Sequence, residues 1–164
     1  MYQTLIKKNF PHVVIVTDLN GSTEDLDPVT EFSDSDIQDA ILGIKELHSA
    51  DISVLDIKVG RGAEGQVKIR DPTTFGFGDT KPIHTRYNLP ETSIVKFKSD
   101  LWCLGCLIYG KNIPKRFLKS QELLDNFMKN SKYFEILKNL LVIDPSKRNL
   151  DFIKDSSHNG CIIH

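Results

Sequence analysis

Two of the three cysteines, Cys103 and Cys106, have the C-x-x-C spacing that can bind a metal or carry out thiol redox chemistry. Either use requires the pair to lie in a loop or at the start of a helix. Both residues instead lie in the apolar run 101–109, which is typical of a buried helix. We therefore predict unreactive, buried thiols in a reducing compartment. The five histidines show no metal-ligand spacing. They are His12, His48, His84, His158 and His164.

The final four residues, Cys161-Ile162-Ile163-His164, have the C-a-a-X form of a prenylation signal. Histidine is unusual at the last position, and residues 155–160 contain no basic cluster that would act as a second signal. A single lipid would anchor the protein only marginally. We favour a chance ending, or the arbitrary stop of a truncated reading frame, over prenylation. We expect membrane association only if Cys161 is prenylated.

Three charged residues could act on a phosphate or a metal ion. Asp56 and Lys58 form a D-x-K triplet, and Asp71 stands directly before Pro72. Taken alone, Asp56 would be a loop aspartate that hydrogen-bonds nearby backbone, and Asp71-Pro72 would begin a turn. Any chemistry here therefore depends on the neighbouring motifs.

The elements that would position these residues are mostly helices. Ser33 to Ser35 offer N-caps, and apolar residues recur at helical spacing as far as Leu47, which predicts an amphipathic helix. Further helices are predicted at 100–109, 121–128 and 133–141. We interpret His48, at the end of the first helix, as a packing or capping residue.

The remaining segments predict short strands and loops. Extended segments are expected at 13–16, 52–56 and 66–69, whereas 22–32 and 71–88 are predicted to be irregular. Glycines interrupt the stretch between Lys58 and Gln66, which we also interpret as a loop.

Length and composition indicate one globular domain. The chain has 164 residues, of which 40% are hydrophobic and 26% charged, with a formal net charge of −1. This balance gives no electrostatic reason to expect nucleic acid or anionic lipid as a partner. Lys7 and Lys8 precede no apolar region of a secretory signal. We expect an intracellular protein, cytoplasmic or nuclear.

Five motifs occur in an order that resembles the C-terminal lobe of a eukaryotic protein kinase. They read VLDIK at 54–58, VKIRD at 67–71, TRYNLPE at 85–91, KSDLWCLGC at 98–106 and DPSKR at 144–148. They correspond to the catalytic loop, the metal-binding aspartate, the end of the activation segment, the central buried helix and the last conserved arginine. The resemblance covers about residues 10 to 152.

The resemblance implies a role for each of the three charged residues Asp56, Lys58 and Asp71. Asp56 would be the catalytic base, Lys58 would neutralise the transferred phosphate, and Asp71 would bind Mg²⁺. Thr17, Asp18 and Asn20 match the hinge that holds adenine through its backbone, although a strand end followed by an acidic loop describes them equally well. The implied cofactors are ATP and Mg²⁺, if nucleotide binding survives, and otherwise none.

The resemblance also implies structural roles for three buried charges. Glu91 and Arg148 would form the ion pair that anchors the activation segment to the helical lobe. Asp100 would hold the backbone of the catalytic loop. These residues maintain the scaffold and take no part in phosphoryl transfer.

Several residues depart from the kinase pattern. Val54 and Leu55 replace the histidine and arginine that precede the catalytic aspartate, and Pro72 follows Asp71 in place of phenylalanine. The magnesium-binding asparagine falls on or near Arg61, and a cation there is wrong for a Mg²⁺ shell. No glycine-rich loop or strand lysine precedes the motifs.

We therefore predict an α+β, mainly helical, protein-kinase-like fold: a C-terminal lobe with one or two N-lobe strands, truncated at its N-terminus. It would span residues 1–154, with a polar tail at 155–164. The expected function is that of a catalytically impaired pseudokinase that binds a protein partner, such as a full-length kinase or a kinase substrate. The alternatives are an active serine/threonine kinase and a remnant without function.

Overall fold

The computed structural model describes residues 27–29, 31–62, 65–70, 76–77 and 85–153. These residues form an α+β fold that is mostly helical. The helices are α1 (Asp34–Ser49), α2 (Lys98–Tyr109), α3 (Gln121–Met128) and α4 (Phe134–Leu140), with 3-10 turns at Lys115–Phe117 and Pro145–Lys147. The strands are β1 (Asp27–Pro28), β2 (Ile52–Ser53), β3 (Lys58–Arg61), β4 (Val67–Arg70) and β5 (Gly76–Phe77).

The predicted amphipathic helix is confirmed as α1. The Ser33 hydroxyl accepts a hydrogen bond from the Asp36 N–H, and the Asp36 carboxylate accepts one from the Ser33 N–H, which completes a capping box. The apolar residues of the helix form a fully buried stripe, which comprises Ile37, Ala40, Ile41, Ile44 and Leu47. This stripe packs α1 against β4, β2 and α2.

Helix α2 is the buried centre of the fold, as predicted. Trp102, Cys103, Leu104 and Cys106 are all inaccessible to solvent. The helix packs closely on the end of α4, and Gly105 makes this approach possible. A Cβ at Gly105 would lie only 2.7 Å from Cγ and Cδ2 of Leu141.

The strands form two small antiparallel groupings. Strand β3 lies between β1 and β4, with Lys58 opposite Arg70 and Arg61 opposite Val67, while β2 pairs with β5. The β3–β4 hairpin lies against α1. It therefore places the residues that follow Asp56 beside the first turns of that helix.

The predicted helices 100–109, 121–128 and 133–141 and the strand 66–69 are confirmed to within two residues. The prediction of a loop after Lys58 was wrong, because pairing with β4 extends residues 58–61 despite Gly60. The segments 22–32 and 71–88 also contain short strands, β1 and β5. Pro28 fits the first of these because β1 lies at a sheet edge.

Several sequence-based predictions fall outside the described residues. They are the strand at 13–16, the hinge residues Thr17, Asp18 and Asn20, the metal ligand Asp71, and the tail at 155–164. Among the described helices, none combines the length and apolarity needed to cross a bilayer.

Candidate functional site

The turn that precedes Asp56 is held by one buried carboxylate on α2. Asp100 accepts the Leu55 N–H at Oδ1 and the Val54 N–H at Oδ2, both at 3.0 Å. Its Oδ2 also lies 2.9 Å from Nε2 of His48, whose ring packs on Phe97. The predictions that Asp100 holds this backbone and that His48 is a packing residue are confirmed.

Leu55 adopts a left-handed backbone conformation, with φ of 56°. This conformation is unfavourable for a residue with a branched side chain. The two hydrogen bonds to Asp100 and the complete burial of the Leu55 side chain hold it in place. The result is a sharp turn that directs the chain into Asp56.

Asp56 lies at the end of this turn with both carboxylate oxygens engaged. Arg86 donates from Nε to Oδ1 at 2.7 Å and from Nη2 to Oδ2 at 3.3 Å. Lys58 Nζ lies 3.7 Å from Oδ2. The Asp56 side chain is only 9% exposed, whereas that of Arg86 is 51% exposed. The site therefore consists of one nearly buried carboxylate covered by two cations.

Burial of the Asp56 carboxyl raises its pKa, but the hydrogen bonds and positive charge of Arg86, together with the charge of Lys58, outweigh this effect. The net pKa of Asp56 lies below its ordinary value. A carboxylate with a lowered pKa is a weaker proton acceptor than a free one. The geometry thus favours a stable ion pair at this position.

The structure brings together Asp56 and Lys58, which the sequence singled out, and adds Arg86. The sequence-based prediction included Arg86 in the TRYNLPE motif but gave it no role. The sequence offered no signal for the contact between Arg86 and Asp56. In the structure the Thr85 hydroxyl, next to Arg86, donates a 3.4 Å hydrogen bond to the Leu55 carbonyl. That contact brings the segment alongside the Asp56 turn.

Arg61, at the position expected for the magnesium-binding asparagine, forms an ion pair with α1. Its Nη1 and Nη2 donate to Oδ1 and Oδ2 of Asp36, each at 2.8 Å, and Nη1 also donates to the Gly65 carbonyl at 2.7 Å. Hydrogen bonding from Arg61 lowers the pKa of Asp36 to about 2. Arg61 therefore fastens the hairpin to α1, a role that the sequence did not reveal.

The hairpin also contains a glycine pattern to which the sequence-based prediction gave no role. Gly60, Gly62 and Gly65, followed by Val67, fit the G-x-G-x-x-G-x-V pattern that covers nucleotide phosphates in protein kinases. Here the Gly62 N–H donates to the Gln66 carbonyl and the Gly65 N–H to the Gly62 carbonyl, both at 2.9 Å. These two amides are used within the turn, so they are not directed at a ligand.

The predicted ion pair between Glu91 and Arg148 is confirmed. Nη1 donates to Oε1 at 2.9 Å and Nη2 to Oε2 at 2.7 Å, and the Arg148 side chain is fully buried. Arg148 also donates to the carbonyls of Val142 and Lys98 and lies 5.0 Å from the Trp102 ring centroid. The pair thus joins the end of the TRYNLPE motif to α2 and to the chain after α4.

Burial raises the pKa of the Glu91 carboxyl, but hydrogen bonds from Arg148 and from the Ser99 hydroxyl lower it by more. The net pKa of Glu91 therefore lies below its ordinary value. Burial also raises the pKa of Cys103, and it raises that of Cys106 to about 12. Both thiols are therefore protonated at neutral pH, in agreement with the prediction of unreactive cysteines.

The described residues fit a magnesium site poorly. Mg²⁺ requires oxygen ligands, but both Asp56 oxygens face cations and Arg61 is itself a cation. Within the described ranges, no group of three or more histidine, cysteine, aspartate or glutamate side chains could hold a metal ion. Asp71 and the hinge residues lie outside those ranges.

No protein-family model matches this chain, and no similar curated protein is found. The resemblance to protein kinases therefore stays a prediction that depends on the motifs.

Proposed function

We propose that this chain is a protein-kinase-like binding module whose catalytic aspartate is held in an ion pair, so that phosphoryl transfer is impaired. One observation carries the proposal: both oxygens of Asp56 accept hydrogen bonds from Arg86. A catalytic base must take a proton from the substrate hydroxyl, and the guanidinium of Arg86 both lowers the basicity of the Asp56 carboxylate and covers it. The protein partner would be a full-length kinase or a kinase substrate.

The scaffold contacts support the kinase-like part of the proposal. Asp100 holds the turn before Asp56, and Glu91 is bonded to Arg148, as the resemblance implied. These are the contacts that a kinase C-terminal lobe would need, and they support the proposed resemblance. The residues that would serve catalysis are either replaced, as at Leu55 and Arg61, or held in an ion pair, as at Asp56.

A second candidate function is that of an active serine/threonine kinase. The short distance between Lys58 Nζ and Asp56 Oδ2, 3.7 Å, favours it, because a base and a phosphate-binding lysine must lie side by side. Arg86 is half exposed and could move away from Asp56. In that case Asp56 would be the base, Lys58 the phosphate ligand and Asp71 the Mg²⁺ ligand.

Phosphate transfer from labelled ATP distinguishes these two functions. The full chain is incubated with Mg²⁺ and a mixture of serine- and threonine-containing peptides, beside an active kinase as positive control and an Asp56→Asn variant as blank. We expect the wild type to equal the blank and calorimetry to show no saturation by ATP–Mg²⁺ below millimolar concentrations. Transfer that disappears in Asp56→Asn would overturn the proposal in favour of the active kinase.

A further inference from the structure

The segment between α2 and α3 carries a cluster of exposed positive charge. Lys111, Lys115, Arg116 and Lys119 occur within nine residues, and no carboxylate lies among them. All four side chains are exposed. We call these four residues the basic platform.

The four cations of the basic platform form no ion pairs, whereas most other cations of the described structure do. Among the described residues, none of its four side chains forms an ion pair with a carboxylate. Many other described cations each have a carboxylate partner, namely Lys58, Arg61, Arg86, Lys96, Lys132, Lys138, Lys147 and Arg148. The only carboxylate in residues 92–119 is Asp100, which is fully buried. Within the described structure these four cations therefore form no ion pair, and the first exposed carboxylate that follows them in the sequence is Glu122.

Two cations of the basic platform are held above aromatic rings. Lys111 Nζ lies 5.1 Å from the ring centroid of Tyr109 and 5.4 Å from that of Phe127, and the Arg116 guanidinium lies 4.9 Å from that of Phe117. Phe117 stacks on Phe127 with 4.0 Å between centroids. Side chains that are already positioned lose less conformational entropy when they bind a partner.

The basic platform is also fastened to the segment that carries Arg86. Asn112 donates from Nδ2 to the Arg86 carbonyl at 2.9 Å and accepts the Asn88 N–H at 2.8 Å. The Asn88 side chain in turn donates to the Ile113 carbonyl at 3.0 Å. The half-exposed Arg86 guanidinium thus belongs to a segment directly bonded to the platform.

We propose that the basic platform binds an acidic segment, rich in glutamate and aspartate, of a partner protein. The inference rests on the proposed function, since it names the chemical class of partner for that binding module. Charge complementarity supports it: exposed cations without carboxylate partners attract acidic residues and speed their association. A peptide backbone with closely spaced carboxylates could contact several of these cations at once.

The observations favour an acidic protein segment over nucleic acid or a membrane. Bases bind single-strand sites by stacking on free aromatic faces, but Phe117 and Phe127 stack on each other beneath Lys111 and Arg116. A membrane surface would require several exposed apolar residues beside the platform, and within the described residues 111–128 Leu123 is the one large exposed apolar side chain.

The test measures fluorescence anisotropy of a labelled peptide of alternating glutamate and serine, titrated with the full chain. A peptide with glutamine in place of glutamate is the uncharged control. We expect saturable binding of the glutamate peptide that weakens with added salt. The variant Lys115→Glu/Arg116→Glu should weaken it by at least about tenfold, because like charges then face each other.

A matched control variant, Lys138→Glu/Lys147→Glu, makes the same change in net charge on other exposed elements. It should alter binding less than about twofold, in line with the small effect of remote surface charges. A milder variant, Lys115→Gln/Arg116→Gln, should still weaken binding, and its circular dichroism checks that the fold is retained.

The inference would be overturned if the glutamate peptide did not bind. It would also be overturned if Lys115→Glu/Arg116→Glu and Lys138→Glu/Lys147→Glu weakened peptide binding equally. Binding of a single-stranded oligonucleotide or of anionic vesicles with no binding of the peptide would also overturn it, in favour of those ligands. None of these outcomes bears on phosphate transfer. The proposed function therefore fails only in the ATP assay, and this inference fails only in the peptide titration.

Discussion

At the scale of single residues, each buried charge in the described structure has a partner that explains its position. Arg148 is fully buried yet has Glu91 and several backbone carbonyls around its guanidinium. Asp100 has two backbone N–H groups and His48. Because an unpaired buried charge is costly, removing one member of such a set should destabilise the fold strongly.

Arg148→Ala and Glu91→Ala are each expected to lower the free energy of unfolding by about 3–5 kcal/mol, because each leaves a buried charge without its partner. The double variant should lose less than the sum, since one interaction is broken in all three proteins. Urea titrations of the four proteins measure this coupling. Strictly additive losses would mean that the two side chains do not interact.

The Asp36–Arg61 pair predicts a dependence of stability on pH. The pKa of Asp36 is about 2 in the folded chain and its ordinary value is 3.8, so the ionised form is stabilised by folding. This contribution is fully present above pH 3.8 and is lost as the pH falls towards 2. Asp36→Asn should therefore be less stable than wild type at neutral pH, and the difference should shrink in acid.

Chemical denaturation of both proteins over this pH range provides the measurement. Asp34→Asn removes an exposed carboxylate from the same helix turn and should change the free energy of unfolding much less. A difference between Asp36→Asn and wild type that stays constant down to pH 2 would contradict the account of the ion pair.

At the scale of elements, α2 connects the core with the candidate site. Gly105 brings the helix against Leu140 and Leu141, at the end of α4. Asp100, on the first turn of the same helix, holds the turn that presents Asp56. The packing of α2 therefore affects both the core and the candidate site.

Gly105→Ala is expected to destabilise the chain by about 1–3 kcal/mol, because the new Cβ forces the Leu141 side chain to move. In a Leu141→Ala background the same substitution should cost less, since the two nearest obstructing atoms, Cγ and Cδ2 of Leu141, are gone. Thermal or urea unfolding of the four proteins measures both costs. An equal cost in the two backgrounds would show that the contact does not limit the substitution.

The helices could be predicted because their signals are local. Ser33 marks the start of α1, apolar spacing marks its buried face, and the unbroken apolar run at 101–109 marks α2. The strands were harder because pairing between distant residues decides them. Strand β3 contains Gly60 and a strongly polar sequence, and only its register with β4 makes it extended.

At the scale of the whole molecule, the candidate site depends on contacts between distant parts of the chain. Arg86 lies 30 residues after Asp56 and reaches it because the TRYNLPE segment is fastened by Thr85, Asn88 and Glu91. Motif order in the sequence located Asp56 and Lys58. It could not show that an arginine from another segment covers the carboxylate, because side-chain pairing across the fold leaves no periodic signal.

The pKa of Asp56 tests the central claim, that this carboxylate is held in an ion pair with Arg86. NMR titration of the aspartate side-chain carboxyl carbons measures it, with Asp56→Asn used for assignment. In the wild type we expect a pKa below the ordinary value of 3.8. In Arg86→Gln it should rise, because burial remains while the opposing hydrogen bonds and charge are lost.

Arg116→Gln removes an exposed arginine that forms no ion pair among the described residues, and it should leave the Asp56 titration unchanged. A wild-type pKa of Asp56 near neutrality, as for a base poised to take a proton, would contradict the account. An Asp56 pKa that is the same in wild type and Arg86→Gln would contradict it as well.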